Sequence, residues 1–242
     1  MENINIPKVI HYCWFGGNKK SKLIKKCIKS WSKVCPDYEI KEWNEENFDI
    51  NCCDYVRQAY QQKKWAYVSD YARFTILNTY GGIYVDTDVQ FLKPIDSLLD
   101  TKFVGFAHDD IVATGLIMAT SKDDWLCQKV LESYKNEQFK WADTTKILAI
   151  GRRVTRILVD AGLQTNGKMQ VVNDYTIYPE YYFNPTKGDM HAKVDERAYS
   201  IHHYAATWFP WRARARNTIR RFLGHGIMDK YYKVKRRIKN KE

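Results

Sequence analysis

The sequence contains no long apolar run. Nowhere in its 242 residues do roughly 18 apolar residues follow one another, which is the length that a membrane-spanning helix needs. The opening stretch, MENINIPKVIHYCW, also lacks the basic segment and the apolar segment of a secretion signal. The sequence therefore predicts a cytoplasmic protein that spans no membrane.

Cysteines are few and irregularly spaced. The six positions are Cys13, Cys27, Cys35, Cys52, Cys53 and Cys127. They show no repeated C-x-x-C spacing, so neither a structural zinc site nor a disulfide framework is indicated. We expect reduced cysteines in the core.

Acidic residues are scarce at the C-terminal end. Residues 211–242 hold twelve Lys or Arg and two acids, a balance of +10, which leaves +1 of the net charge of +11 to the first 210 residues. Apolar residues in this tail recur at helical spacing in two stripes. We expect basic amphipathic helices on an anionic membrane surface at the inner face of the cell membrane, and a solvated or partner-bound tail is the alternative. Because the charge lies in the tail, nucleic acid is not expected as a partner.

The first 210 residues predict one α/β domain. Hydrophobic residues make up 45% of the chain, enough for a sizeable core. Residues 8–15 form an apolar β-rich run, residues 22–34 show helical spacing, and residues 38–43 alternate as a half-exposed strand. The chain thus opens β-α-β. We assign residues 1–210 to a single α/β domain with a Rossmann-like mixed sheet.

The most informative stretch covers residues 65–94. It begins as an apolar-rich helix that Gly81-Gly82 ends, and residues 83–85 then form a short strand that leads into Asp86 and Asp88. The two acids are two residues apart in an extended chain, so their carboxylates point to the same side. They lie at the carboxyl end of a buried strand, where open α/β sheets bind ligands.

This acid pair predicts a metal site. Two carboxylates this close repel each other unless a proton or a divalent cation lies between them, and Mg²⁺ or Mn²⁺ takes such oxygen ligands. An Asp-x-Asp pair also occurs in ordinary turns, where Asp caps backbone amides. On the preceding helix, Asp70 and Arg73 are three residues apart and can reach the same ligand.

Three separated segments resemble one enzyme family. Residues 69–74, SDYARF, and 80–89, YGGIYVDTDV, are similar to the core of glycosyltransferase family 32, which includes yeast mannosyltransferases and bacterial capsule enzymes. A more distant resemblance is to the glucosylating domain of large bacterial toxins. Residues 6–17 resemble the family's opening strand and residues 201–208 its closing motif, so the resemblance covers roughly residues 5–210.

The resemblance implies a GT-A-like fold and a metal-dependent transferase. The enzyme would move a hexose from a UDP- or GDP-sugar, with retention of configuration, to a hydroxyl of a glycan or lipid-linked glycan in capsular or cell-surface polysaccharide synthesis. Asp86 and Asp88 would hold Mn²⁺ or Mg²⁺ against the diphosphate, while Asp70 and Arg73 would orient the donor. These four are the predicted catalytic residues, and a homo-oligomer is allowed.

The resemblance also assigns residues that contact the donor or the metal. Trp14 and Tyr84 would flank the base or ribose, although Trp14 could instead be a core residue. The predicted donor-binding set is His11, Trp14, Ser69, Asp70, Arg73, Tyr84, Asp86 and Trp208. On the closing strand, the adjacent His202 and His203 point to opposite faces, so at most one completes the metal's ligand set. We favour His203.

Four further predictions concern the second half of the chain. We expect strands at residues 103–107 and 115–119, with Asp109 or Asp110 in the loop between them either near the donor sugar or simply solvated. Residues 124–135 and 143–161 should be helical, the latter capped by Asp143. The aromatics of residues 178–185 could be an acceptor platform or core.

Two other classes of protein remain as alternatives. A phosphatase of the haloacid dehalogenase type also uses Asp-x-Asp after a strand, but it needs Thr or Val at the position that Gln90 occupies here. The other alternative is a non-catalytic basic protein that binds membrane or nucleic acid through its tail.

Overall fold

The computed structural model describes residues 5–108, 110–140, 149–187, 189 and 191–205. The predicted tail helices, the domain boundary at residue 210, Asp109 and Trp208 lie outside these residues. They stay predictions. Within the described part of the chain, no helix is long and apolar enough to cross a membrane.

The chain opens β-α-β, as predicted. Strand β1 (Val9–Cys13) pairs in parallel with β2 (Glu39–Trp43), and helix α1 (Lys22–Val34) connects them. The helix begins where the Ser21 side chain accepts a hydrogen bond from the backbone N–H of Ile24, which satisfies one of the free amides of the first turn.

In the described part of the chain, ten strands form two sheets. The remaining strands are β3 (Gly82–Tyr84), β4 (Val89–Phe91), β5 (Lys102–His108), β6 (Ile111–Val112), β7 (Met118–Thr120), β8 (Gln170–Val172), β9 (Tyr175–Tyr178) and β10 (Ser200–His202). The main sheet runs in the order β2-β1-β3-β7-β5-β9-β8, with β6 paired to β5. In it, β7 is antiparallel to β3 and β5, and β8 is antiparallel to β9. Strands β4 and β10 form a separate antiparallel pair.

Helices cover the main sheet on both faces. Besides α1, they are α2 (Asp54–Gln61), α3 (Trp65–Tyr80), α4 (Trp125–Glu132), α5 (Ile150–Asp160) and α6 (Glu180–Phe183), with a 3₁₀ turn at Asp96–Leu98. Neighbouring strand residues enter different cores, since Ile83 belongs to the cluster that contains Trp31 of α1 and Tyr84 to the cluster that contains Phe74 of α3. The result is a helix–sheet–helix arrangement with β1, β3 and β5 pointing the same way.

The predicted α/β class with a mixed central sheet is therefore confirmed. Two boundaries differ from the prediction. The strand expected at residues 115–119 begins at Met118, because the chain is still turning at Gly115. The helix expected from Asp143 begins at Ile150, because Ala149 is extended with ψ of 139°. Asp143 itself lies outside the described residues.

The cysteine prediction holds for four of the six. Cys13, Cys27, Cys35 and Cys127 are buried, whereas Cys52 is exposed and Cys53 is half-buried. All six are free thiols. No zinc site or disulfide contributes to this fold among the described residues.

Candidate functional site

The turn between α3 and β3 requires glycine at both positions. Gly81 and Gly82 have φ angles of 66° and 97°, which other residues rarely adopt. A Cβ on Gly82 would also lie 2.8 Å from the carbonyl oxygen of Val9, so β3 approaches β1 closely. This turn places Asp86 just beyond the carboxyl end of β3, in the centre of the sheet.

Arg73 joins two of the predicted carboxylates. Its Nη2 lies 2.7 Å from Oδ1 of Asp70 and 3.3 Å from Oδ1 of Asp86, and its side chain is only 5% exposed. Burial raises the pKa of Asp70 to about 6, although the positive charge of Arg73 opposes that rise. The structure therefore brings Asp70, Arg73 and Asp86 together as one hydrogen-bonded group at the sheet edge.

Tyr84 packs against the group formed by Asp70, Arg73 and Asp86. Its ring is 1% exposed, the guanidinium of Arg73 lies 4.6 Å from the ring centroid, and its hydroxyl donates to Oδ1 of Asp86 at 3.3 Å. Tyr84 and Asp86 share a side because they are two residues apart at the strand end. Both the ring and the hydroxyl of Tyr84 are engaged within the protein, and the predicted contact of Tyr84 with the base or ribose stays a prediction.

Two residues that sequence reasoning missed complete the same group. Thr114 is 1% exposed and its hydroxyl accepts from Nη1 of Arg73 at 3.4 Å. The carbonyl of Gly115 accepts from the backbone N–H of Asp86 at 2.8 Å, and a Cβ on Gly115 would lie 2.0 Å from Oδ2 of Asp86. The only signal in the sequence was a Thr-Gly pair interrupting an apolar run.

Asp88 is held by the C-terminal strand. Its Oδ1 lies 3.1 Å from Nε2 of His202, and its Oδ2 accepts from the backbone N–H of Ala205 at 2.7 Å. The backbone N–H of His203 also donates to the Asp88 carbonyl at 2.9 Å. Burial alone would raise the pKa of this carboxyl, but the charge and hydrogen bond of His202 and the Ala205 amide outweigh it and hold the pKa at about 2.

The geometry favours His202 over His203. The imidazole of His203 lies against Gln90, with Nε2 3.1 Å from Oε1 of that side chain, whereas the His202 imidazole reaches Asp88. The register accounts for the His203 contact, because Ile201 pairs with Gln90 and residues two apart on a strand share a face. Asp88 lies in the turn before β4, where its carboxylate reaches His202. The geometry thus favours His202, and the choice of metal ligand stays a prediction.

The Asp88–His202 pair fits a divalent cation. Two cis ligands of an octahedral Mg²⁺ lie about 3 Å apart when each is about 2.1 Å from the ion, close to the 3.1 Å observed here between Oδ1 and Nε2. The nearby Asp86 side chain is 33% exposed and can accept further contacts. In the described parts of the chain, no three His, Cys, Asp or Glu side chains already form a cation site. The protein thus offers an incomplete ligand set with room for ligand oxygens.

His11 does not reach the site. It is 2% exposed, with Nε2 3.0 Å from the carbonyl of Gly81 and Nδ1 accepting from Nε1 of Trp43 at 3.1 Å. Burial lowers the pKa of His11 to about 4. Both ring nitrogens contact the protein interior and connect β1 to β2 and to the Gly-Gly turn, and the predicted donor-binding role of His11 stays a prediction.

Trp14 lies at the mouth of the sheet, in the loop after β1. Its Nε1 donates to the carbonyl of Asn18 at 2.7 Å, and Nζ of Lys20 lies 5.3 Å from the indole centroid. The ring is half-buried, so one face can still meet a ligand. Its predicted contact with the base therefore stays a prediction.

The glycine loop after Trp14 is anchored by a residue that sequence reasoning missed. Oε1 of Glu45 accepts from the backbone N–H of Gly16 at 2.6 Å and from the hydroxyl of Tyr60 at 3.1 Å. Gly16 has a φ of 88°, and a Cβ there would lie 2.5 Å from the indole of Trp65. The loop conformation is thus fixed by contacts with α2 and α3.

Three other predictions concern Ser69, whose backbone carbonyl accepts from Nε of Arg73 at 3.3 Å, and two parts of the chain farther along. The hydroxyl of Ser69 donates to the carbonyl of Trp65 at 3.0 Å, a bond within helix α3. Asp110 is exposed. Among the aromatics of residues 178–185, Tyr182 stacks on Tyr199 with 5.9 Å between centroids, and Arg197 covers Tyr181 at 3.8 Å. Because these ring faces contact each other and cations, the arrangement favours packing over an acceptor platform.

Comparison with known proteins shows that part of this chain matches a described protein family. Residues 21–104 match the family described as "Glycosyltransferase sugar-binding region containing DXD motif", a span that includes Asp70, Arg73, Asp86 and Asp88. The chain is 35% identical over 101 residues to inositol phosphoceramide mannosyltransferase 3 of Schizosaccharomyces pombe, covering 39% of this chain and 27% of the relative. It is 29% identical over 127 residues to inositol phosphoceramide mannosyltransferase 1 of the same organism, covering 45% of this chain and 39% of the relative. The chain thus spans well under half of these relatives.

Two solved structures are also similar. One is described as PaToxG glycosyltransferase, with a TM-score of 0.44, 21% identity, and 64% of this chain and 69% of the other covered. The second is a glycosyltransferase involved in glycosylating the major capsid of PBCV-1, with a TM-score of 0.45, 15% identity, and 88% and 100% covered.

The matched span contains Asp70, Arg73, Asp86 and Asp88, so this part of the chain is similar to the DXD-containing sugar-binding region of glycosyltransferases. Over part of its length the chain is also similar to the two mannosyltransferases of Schizosaccharomyces pombe.

Proposed function

We propose that this protein is a metal-dependent hexosyltransferase that uses a nucleoside diphosphate sugar and retains the anomeric configuration. The observation that carries the proposal is the Asp88–His202 pair, with 3.1 Å between Oδ1 and Nε2, beside the Arg73-linked carboxylates. The Asp88–His202 pair fits a divalent cation, and the carboxylates linked by Arg73 offer hydrogen-bonding groups for a sugar. Both halves lie at the carboxyl end of the central strands.

Each residue of the site has a distinct part. Asp88 and His202 would hold Mn²⁺ or Mg²⁺, and the exposed part of the Asp86 carboxylate faces the same space. A bound cation offsets negative charge on the diphosphate leaving group. Arg73 is fixed by its contacts, so it keeps the carboxylate of Asp70 oriented to accept hydrogen bonds from sugar hydroxyls. Preorganised groups of this kind lose little freedom when the donor binds.

The donor and acceptor classes follow from the relatives. Because the two curated relatives are mannosyltransferases by name, mannose is the first hexose to test, with UDP- and GDP-linked donors compared. We propose a glycan or lipid-linked glycan as the acceptor, in capsular or cell-surface polysaccharide synthesis. A lipid-linked acceptor requires a protein that works at a membrane surface.

The tail provides such a contact in this proposal. Its balance of +10 over residues 211–242 would attract an anionic leaflet, with each basic residue near the surface contributing about 1 kcal/mol. The protein would then be cytoplasmic and peripherally bound. Cosedimentation with phosphatidylserine vesicles, but not with phosphatidylcholine vesicles, tests this. Deletion of residues 211–242 should abolish vesicle binding and keep donor hydrolysis, and a deletion that binds as well as the full chain would overturn the tail's role.

The decisive experiment is Mn²⁺-dependent hydrolysis of UDP- and GDP-sugars by the wild type and by Asp88→Asn. Turnover of one donor by the wild type and its loss in the variant are expected. Asp96→Asn is the matched control, because Asp96 forms a surface ion pair with Lys8 at 2.7 Å and the substitution should leave turnover unchanged. A folded wild type that neither binds nor turns over any donor with metal present would sink the proposal. Hydrolysis of p-nitrophenyl phosphate would point instead to a phosphatase.

A further inference from the structure

Residues 202–205 wrap around Asp88. The His202 imidazole and the Ala205 amide each contact one carboxylate oxygen, and the His203 amide donates to the Asp88 carbonyl. Strand β10 ends at His202, so the ladder to β4 does not hold the residues that follow. A contact elsewhere must fix this short segment in place.

Tyr204 supplies such a contact. Its ring lies against the His202 ring, with 4.0 Å between centroids, and its hydroxyl accepts from Nδ2 of Asn184 at 2.8 Å. Its φ is 46°, in the left-handed region that non-glycine residues seldom adopt. Such a conformation persists where the surroundings impose it, and it occurs often at ligand clamps.

Asn184 is a rigid anchor for that hydroxyl. It is 0% exposed, and its Nδ2 also lies 3.1 Å from the carbonyl of Ala107 at the end of β5 and 3.2 Å from Oε1 of Glu180. Its backbone N–H donates to the carbonyl of Glu180 at 2.8 Å. The amide therefore ties α6 and β5 to Tyr204.

We propose that Tyr204 and Asn184 are positioning residues that hold His202 and the Ala205 amide in place around Asp88 and so set the affinity for the divalent cation. The inference rests on the cation site of the proposed function. The contacts run from β5 through Asn184 and Tyr204 to His202 and then Asp88. Groups that orient the ligands of a metal affect its affinity nearly as strongly as the ligands do, since they fix imidazole orientation.

Tyr204→Phe isolates this effect. It removes the hydroxyl but keeps the ring, and the two N–H groups of Asn184 still have Ala107 and Glu180 as acceptors, so the fold should be kept. Mn²⁺ binding is measured directly, by electron paramagnetic resonance of the free ion, with UDP or GDP present and without any sugar donor. We expect Tyr204→Phe and Asn184→Ala each to weaken Mn²⁺ binding about tenfold, and Tyr204→Ala to weaken it about 100-fold.

Tyr199→Phe is the matched control. It removes a tyrosine hydroxyl from the same segment, one that bonds to Ser97 at 3.1 Å and not to the Asp88 side. Its Mn²⁺ affinity should equal that of the wild type, and the circular dichroism and melting temperature of each variant check folding. Equal Mn²⁺ affinity in wild type and Tyr204→Phe, or equal weakening by Tyr199→Phe, overturns the inference.

The two proposals can fail separately. If Tyr204→Phe binds Mn²⁺ more weakly but the wild type hydrolyses no donor, the positioning role stands and the transferase proposal falls. If the wild type hydrolyses a donor and Tyr204→Phe has unchanged Mn²⁺ affinity, the transferase proposal stands and the positioning role falls. A wild type that binds no Mn²⁺ with either nucleotide overturns the inference together with metal dependence.

Discussion

A Cβ atom on Gly115 would lie 2.0 Å from Oδ2 of Asp86, well inside the contact distance of two nonbonded atoms. Gly115 does not have a positive φ, so its backbone conformation is open to alanine. The glycine is therefore required by the carboxylate beside it. The absence of a side chain at residue 115 thus leaves the space that the Asp86 carboxylate occupies.

Gly115→Ala should displace the Asp86 carboxylate. We expect kcat/KM for the donor to fall about 100-fold, because misplacement by about 1 Å has that effect on a positioned group. The free energy of unfolding should change by less than about 1 kcal/mol. Gly162→Ala is the control: its φ of 107° makes alanine strained, but no atom lies within 4 Å, so it should lose stability and keep activity. Full activity in Gly115→Ala would contradict the assignment.

His202→Ala and His203→Ala should differ sharply. Removing the His202 imidazole takes away a group 3.1 Å from Oδ1 of Asp88, so the Mn²⁺ concentration for half-maximal turnover should rise by about 100-fold or more. His203→Ala keeps the backbone N–H that bonds to Asp88 and removes the contact of the imidazole with Gln90. Its Mn²⁺ requirement should match the wild type. Turnover measured at increasing Mn²⁺ concentration tests this difference. A larger rise in the Mn²⁺ requirement for His203→Ala than for His202→Ala would make His203 the ligand.

Donor turnover should fall in acid through Asp70. Burial raises the pKa of Asp70 to about 6, so the carboxylate is ionised at pH 7 and becomes protonated below about pH 6. A protonated Asp70 loses its ion pair with Arg73 and accepts sugar hydroxyls less well. The kcat/KM should therefore drop about tenfold per pH unit below pH 6. The residual activity of Asp70→Asn should lack this acidic limb, and an identical limb in the variant would rule out Asp70 as its source.

His11 should make folding less favourable in acid. Its pKa is about 4 in the folded state, lowered by burial, against 6.5 for a free histidine. Between these values the unfolded chain binds more protons, so this group destabilises the fold as pH falls from 7.5 to 5, by about 2 kcal/mol.

Urea unfolding of wild type and His11→Gln at the two pH values measures this contribution of His11. The difference in unfolding free energy between the two proteins should change by that amount, with the wild type losing more. An equal difference in unfolding free energy at the two pH values would mean that His11 takes up a proton as readily in the folded protein as in the unfolded chain. Other titrating groups, including Asp70, cancel in the comparison because they are present in both proteins.

Local sequence was enough to predict the centre of the site. The helix at residues 65–80, the Gly81-Gly82 turn and the strand that leads to Asp86 and Asp88 all depend on neighbouring residues, whose spacing and backbone preferences can be read directly. The i, i+3 relation of Asp70 and Arg73 is likewise local. These elements formed as expected, and the fold class followed from them.

What the sequence could not show is which face of the sheet a residue meets. Alternation shows that Tyr84 and Asp86 share a side, but not that Arg73 and Cys13 fill the space around the Tyr84 ring. The burial of His11 likewise depends on contacts with other strands and turns. Thr114 and Glu45 act through contacts 41 and 29 residues away, to Arg73 and Gly16 respectively, so no local pattern indicates them. The contact of His202 with Asp88 depends on the turn before β4, which strand alternation does not describe.

The contact between Asp88 and His202 spans 114 residues. Proteins are synthesised from the N-terminus, and an early segment leaves the ribosome while later ones do not yet exist. A growing chain can therefore form the strand that precedes Asp86 and Asp88 long before it contains the imidazole, Tyr204 or the Ala205 amide. An interrupted translation product would carry the acids without their partners. The order of synthesis thus leaves the Asp88 carboxylate without its partners until translation has passed residue 205.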